Sequence, residues 1–170
     1  MSHVPTTTEQ VLSTLNADGT RRWLDPRLTL GPFHRRRRVL RMHHGATIPP
    51  EVVERYAEPS LDEPLLLTEA VRTGDAVFAT DADDYAGRYP QSEAHQPSLG
   101  LGSRAALPLV DRSGQVFGVL VMSWVDRVDF DDGLVPTLRT LAELVSRALE
   151  RAQLVGDLSR DATRAVSLAE

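Results

Sequence analysis

The sequence predicts an α+β fold built on an antiparallel sheet that is covered on both faces. Two observations carry this prediction. Ala105, Ala106, Leu107, Pro108, Leu109 and Val110 form one apolar run, Asp111, Arg112, Ser113 and Gly114 form a turn, and Val116 through Val121 form a second run. Strands apolar on both sides need cover on both sides, so this hairpin reads as the middle of a sheet. From Asp131 a long helix follows, with Leu134, Leu138, Leu141, Val145, Ala148, Ala152 and Val155 in 4-3 spacing and Ala162 and Val166 continuing it. Two covered faces leave room for a pocket under one of them. The pattern therefore points to a receiver of small molecules or partners.

The remaining elements follow in order. Thr6 and Glu9 have capping-box spacing ahead of a short amphipathic helix near residues 7–15, and 16–20 reads as a turn. Residues 21–38 give the weakest packing pattern, interrupted by Pro26, Gly31 and Pro32 and charged by seven Arg. A strand is predicted over Val39 to His43, ended by Gly45. Pro49 and Pro50 open a helix over Glu51 to Glu58. Ser60 and Glu63 repeat the capping-box spacing before a helix through Leu65, Leu66, Thr68, Ala70 and Val71, which Gly74 stops. Ala76 to Ala79 is a short strand. Asp81, Asp83 and Asp84 start a third helix through Tyr85 and Tyr89, and Pro90 ends it. Residues 91–102 are expected to be loop.

Composition bounds the function. A chain of 170 residues with 41% hydrophobic and 25% charged residues suits one globular core. The net charge of −5 gives nucleic acid no global attraction. There is no Cys, which removes disulfides, thiolate nucleophiles and thiolate metal sites. No signal peptide is recognised and no apolar run reaches ~18 residues, so a cytoplasmic location without a membrane span is expected. A helix from 133 to 165 would span roughly 50 Å at 1.5 Å per residue, which outruns a small sheet. Its second half is expected to meet another copy of itself.

Several segments together resemble a GAF domain, of the actinobacterial type that precedes stress-response phosphatases and histidine kinases. They are His43-His44-Gly45, Pro50 to Tyr56, Leu67 to Gly74, Ala76 to Ala79, the central hairpin, and Phe130-Asp131-Asp132 before the last helix. The resemblance spans about Val39 to Leu154. It implies an antiparallel GAF/PAS-like sheet of five or six strands with helices on both faces, a cytosolic sensory role and dimerisation through terminal helices. The corresponding division is 1–38 an atypical N-terminal segment, 39–152 the GAF domain and 153–170 a signalling or dimerisation extension. One departure stands out: the family has an apolar strand and a longer helix before the position of Val39, where this chain has prolines and arginines. Either a loop replaces the first strand or this end of the coding frame is aberrant, and both leave an edge or part of the pocket floor poorly covered.

Catalytic readings find no support. GAF relatives that reduce free methionine sulfoxide need cysteines, as does covalent bilin attachment. The cyclic-nucleotide signature and a Gly-x-Ser-x-Gly elbow are absent. Asp81, Asp83 and Asp84 lack the glycine and terminal glutamate of a Ca²⁺ loop, and helix capping is the expected role. His43 and His44 are strand neighbours that point to opposite faces, so they cannot share one ion. One of them facing the pocket would suit an axial haem ligand or a pH-responsive donor, against the simpler role of a strand-end histidine. His95 is a loop candidate of the same kind. Arg35 to Arg38 read as a solvated basic loop, since no aromatic platform accompanies them. Arg104 starts an apolar strand and needs an anionic partner, which is Asp126, Asp129 or a ligand carboxylate, with the internal bridge preferred.

The residues and the resemblance together point to a non-catalytic sensory domain that binds a small molecule or partner and relays its state through a dimeric C-terminal helix. The ligand-binding candidates are His43, Tyr56, Phe78, Tyr85, Tyr89, Arg104, Met122 and Trp124. The dimer-helix candidates are Leu134, Leu138, Leu141, Val145, Ala148 and Val155. A homodimer is expected, with an unknown small molecule and a phosphatase or kinase as output domain or partner. No metal, nucleic acid or membrane partner is expected, and the sequence names no cofactor. No output domain follows before Glu170, so the chain is read as a piece of a larger protein or as a regulator acting through a partner. The alternatives are a ligand-free dimerisation scaffold and a haem or redox sensor using a pocket histidine.

Overall fold

Asp111 closes the central hairpin by accepting from the backbone N–H groups of Ser113 and Gln115 (2.9 Å each). Gly114 supplies the left-handed step, at φ 84°. In the computed structural model, which describes residues 27–44, 50–93 and 102–168, this hairpin lies inside a six-stranded sheet. The strands are β1 (Arg27–His34), β2 (Val39–Leu40), β3 (His43–His44), β4 (Val77–Ala79), β5 (Arg104–Val110) and β6 (Val116–Ser123). Their order is β2-β1-β6-β5-β4, with β3 also on β1, and every pairing is antiparallel.

β1 corrects the expectation that the first strand is missing. Leu28 and Leu30 alternate with Thr29 and Gly31, and the strand pairs with β6 from Arg27 to Pro32. Part of the 1–38 segment therefore lies well inside the sheet. Arg35 to Arg38 form the solvated turn to β2, held by Arg37–Glu58 (3.3 Å) and Arg38–Asp62 (3.2 Å) ion pairs. The strand expected over Val39 to His43 is split into β2 and β3. Opposite its break lies Pro32, which has no N–H to give to a ladder. Arg41 N–H still donates to Pro32 O (3.0 Å), while Leu40 N–H and Met42 N–H point the other way, to Pro59 O (3.0 Å) and Ala57 O (2.8 Å).

The helices are α1 (Pro50–Arg55), α2 (Leu66–Thr73), α3 (Ala82–Arg88), α4 (Pro90–Glu93) and α5 (Leu134–Leu168). α2 ends as expected, at Gly74 with φ 72°. Its start lies later than the Ser60–Glu63 spacing suggests. Glu63 does accept from Ser60 N–H (3.2 Å), but Pro64 intervenes and Thr68 caps the helix by accepting from Leu65 N–H (3.1 Å). Asp81 caps α3 through Asp84 N–H (2.8 Å), the role expected of that acidic cluster. α3 ends just before Pro90 as expected, but Pro90 also opens α4, so residues 91–93 are helical where loop is expected, since a first-turn amide has no partner to lose. The helix expected near residues 7–15 and the loop holding His95 lie outside the described residues.

Each sheet face has its own buried cluster. On one, Leu28, Leu30, Ala105, Leu107, Leu109, Leu120 and Met122 meet Leu138, Ala142, Val145 and Leu149 of α5. On the other, Ala106, Val119, Val77 and Ala79 meet Leu66, Ala70, Val71, Tyr85 and Tyr89. Leu138 and Val145, offered as dimer contacts, are thus spent on the chain's own sheet, worth about 2 kcal/mol each in burial. Leu134 and Leu141 pack partly on the same cluster. The side chain of Val155 lies outside those described.

Candidate ligand-binding site

Strand register sorts the sequence-predicted residues between the two faces. Directly paired residues of antiparallel strands share a face and alternate residues change face. Arg104 pairs with Ser123 and Ala79, which puts it on the face away from α5. Phe78 and Met122 both pair with Ala105 and belong to the α5 face. Trp124 packs there too, its ring 5.7 Å edge-on from Phe130, and Phe78 lies 4.8 Å from the same ring. The expected eight-residue ligand set is therefore divided. Tyr56, Tyr85, Tyr89 and Arg104 come together, while Phe78, Met122 and Trp124 are core on the far side.

The histidines are exchanged relative to expectation. His43 pairs with Leu30 and shares the α5 face, whereas His44 pairs with Thr29 on the face of Arg104. His44 Nε2 lies 3.4 Å from Tyr56 O and Nδ1 lies 3.4 Å from Thr29 Oγ1. A carbonyl only accepts, so Nε2 carries the proton and Nδ1 is left to accept the threonine hydroxyl. Burial lowers the His44 pKa, against the opposing pull of the Tyr56 carbonyl and with help from neighbouring His43.

Arg104 is the centre of this face. It is 5% exposed, and its Nε and Nη1 meet no hydrogen-bond partner. The guanidinium lies 3.6 Å from the Tyr85 ring centroid. The internal ion pair expected for it does not form: Asp129 pairs with Arg127 (3.8 Å), and Asp126 is exposed. Burial pushes its pKa down, and Tyr85 opposes that shift. A desolvated cation–π contact contributes about 2 kcal/mol, less than the several kcal/mol that removing one ion from water costs. The remainder calls for an anion.

Tyrosines and a serine surround it. Tyr85 Oη lies 2.7 Å from Ser92 Oγ, and the Tyr56 hydroxyl donates to Ser92 O (3.5 Å). Tyr89 packs 5.2 Å from Tyr85 and donates its hydroxyl to Glu69, and burial with that contact raises its pKa. Ser92 and Thr29 were missed by the sequence reading, which weighed both histidines and put His43 forward. Pro90 was the available signal for Ser92, because proline in this position starts helices more readily than it ends them.

A concavity of about 370 Å³ lies between α5 and the β5–β6 turn, lined by Arg112, Arg139, Glu143, Arg147 and Glu150 among others. It carries charges of both signs on mostly exposed side chains and holds none of the predicted residues.

The sequence model of the GAF domain matches residues 9–150. The chain belongs to the GAF domain family. GAF domains are sensory and regulatory modules, typically non-catalytic, that often accompany kinase or phosphatase output domains. Solved structures agree on the fold. The GAF domain/HD domain protein from Geobacter sulfurreducens is 21% identical with a TM-score of 0.66, over 88% of this chain and 95% of that one. The GAF domain of a two-component sensor histidine kinase from Bacillus halodurans is 18% identical with a TM-score of 0.59, over 89% and 99%. Type II free methionine-R-sulfoxide reductase from Thermoplasma acidophilum is 15% identical with a TM-score of 0.56, over 84% and 94%. The search of curated proteins finds no match.

Proposed function

We propose that this GAF domain is a non-catalytic sensor whose ligand settles beside Arg104, Tyr85 and Tyr56, between the sheet and the helices α1 to α4. The observation that carries the reading is the contrast between the two faces. The α5 face buries a cluster of aliphatic and aromatic side chains, while the opposite face, beside its own apolar cluster, buries a cation whose Nε and Nη1 have no partner, next to tyrosine hydroxyls. A scaffold with a filled core has no use for that arrangement. The sulfoxide reductase chemistry has no support here, because the chain has no cysteine to carry it. Haem ligation by His44 is disfavoured, since both of its ring nitrogens already have partners.

The relay is short. On β5, Arg104 faces the ligand layer while Ala105, Leu107 and Leu109 touch the cluster of α5. A ligand that binds two arrangements of this strand unequally shifts the pose of α5. That helix has 35 residues, about 52 Å, and among its described side chains the last buried one is Ala152. The exposed Leu144 and Leu154 are the positions for a second copy, and a kinase or phosphatase is the expected output. The proposed location is the cytoplasm; among the described residues no helix is long and apolar enough to cross a membrane. Native mass spectrometry of the freshly purified protein tests both halves. The reading expects a dimer that retains a small molecule, and a ligand-free monomer contradicts it.

A further inference from the structure

We infer that the ligand is a small organic carboxylate, anchored by Arg104. This rests on the sensory reading above and adds its chemical class. The two unpartnered nitrogens of a side chain that is 5% exposed are donors waiting for an acceptor. No carboxylate of the described residues supplies one. The charge of the site sets the charge of the ligand. Arg88, another cation at this layer, is spent on Phe78 O (2.6 Å), Asp84 (3.9 Å) and Glu69 (4.0 Å). Among the described residues one guanidinium is left available, which matches one negative charge, suits a carboxylate and leaves a phosphate dianion half neutralised.

The surroundings argue for an organic body on that charge. The Tyr85 ring lies under Arg104 with the Tyr89 ring tilted against it at 5.2 Å, and Tyr56 adds a third. Aromatic walls bind hydrocarbon and gain little from a bare, strongly hydrated ion.

Thermal unfolding of the full chain tests the assignment, with sodium acetate, butyrate and benzoate set against sodium nitrate, chloride and phosphate at matched ionic strength. At least one carboxylate should raise the Tm by roughly 5 °C or more at saturation, with the inorganic salts causing less than a third of that. Arg104→Met should lose the shift yet unfold at the same or a higher temperature without ligand, because it removes an unpaired buried charge. Arg104→Lys, which keeps the charge, should retain part of the shift and serves if the methionine variant does not fold. Equal shifts from nitrate, no shift from any carboxylate, or a full shift in Arg104→Met each overturn the inference. A neutral molecule retained on purification, with no carboxylate response, removes the class and leaves the sensor. No retained molecule and no response removes both.

Discussion

The Arg104 guanidinium lies over the Tyr85 ring, 3.6 Å from its centroid, and the Tyr85 side chain opposes the effect of burial on the Arg104 charge more than any other group. Tyr85 in turn reaches Ser92 with its hydroxyl (2.7 Å). The pair therefore links the first residue of β5 to α3 and α4, and its two parts separate by mutation. Tyr85→Phe keeps the ring and should cost about 1 kcal/mol in urea unfolding. Tyr85→Leu removes the ring from a buried cation and should cost about 3 kcal/mol. Equal costs for both would show that the stacking contributes nothing.

The approach of β1 to β6 gives a backbone prediction. A Cβ on Gly118 would meet the carbonyl oxygen of Gly31 at 2.8 Å, whereas one on Gly31 would meet the flexible end of Met42. Backbone cannot yield as a methionine can. Gly118→Ala should destabilise by about 2 kcal/mol and Gly31→Ala by less, measured by chemical denaturation. The reverse ranking would place the close contact elsewhere.

His44 makes stability depend on pH. Its pKa is lowered in the fold from 6.5, so the unfolded chain takes up the proton first as pH falls. Its contribution is complete above the unfolded value and is lost as pH drops below 6.5 toward the folded pKa. His44→Gln should flatten the decline in stability between pH 7 and 5, followed by urea midpoints. An unchanged slope would mean that His44 is equally protonated in both states.

The two sides of α5 should answer differently to charge. Leu138 is 4% exposed against the sheet, and Leu154 is 62% exposed beyond it. Leu138→Asp should unfold the domain. Leu154→Asp should leave the fold intact and weaken self-association roughly tenfold or more, read by light scattering across a dilution series. A Leu154→Asp protein with unchanged association would move the interface off this end of the helix.

What the sequence made legible was whatever rests on local rules. The doubly apolar hairpin, the glycine stop at Gly74, the aspartate cap at Asp81 and the long stripe of α5 each follow from spacing alone, and each is present. β1 was obscured because Gly31 and Pro32 read as breakers. Here they sit where β1 approaches Gly118 closely and opposite the break between β2 and β3, where Pro32 O accepts from Arg41 N–H. The ligand residues were half legible for a different reason. Apolar and aromatic content marks Phe78, Met122 and Trp124 as interior, but which side of a sheet they occupy depends on register, and register is a long-range property. The same gap put His43 forward in place of His44. Arg104 was legible as a charge in need of a partner, while the lack of one inside the chain appears only in three dimensions.

The most direct test of the account is the Nε–H resonance of Arg104 in the protein labelled with ¹⁵N-arginine. Its peak is identified by its loss in Arg104→Met. Titration with the three carboxylates should move that resonance downfield, in step with the rise in Tm. A resonance that stays in place while signals elsewhere respond would show that the ligand binds without Arg104.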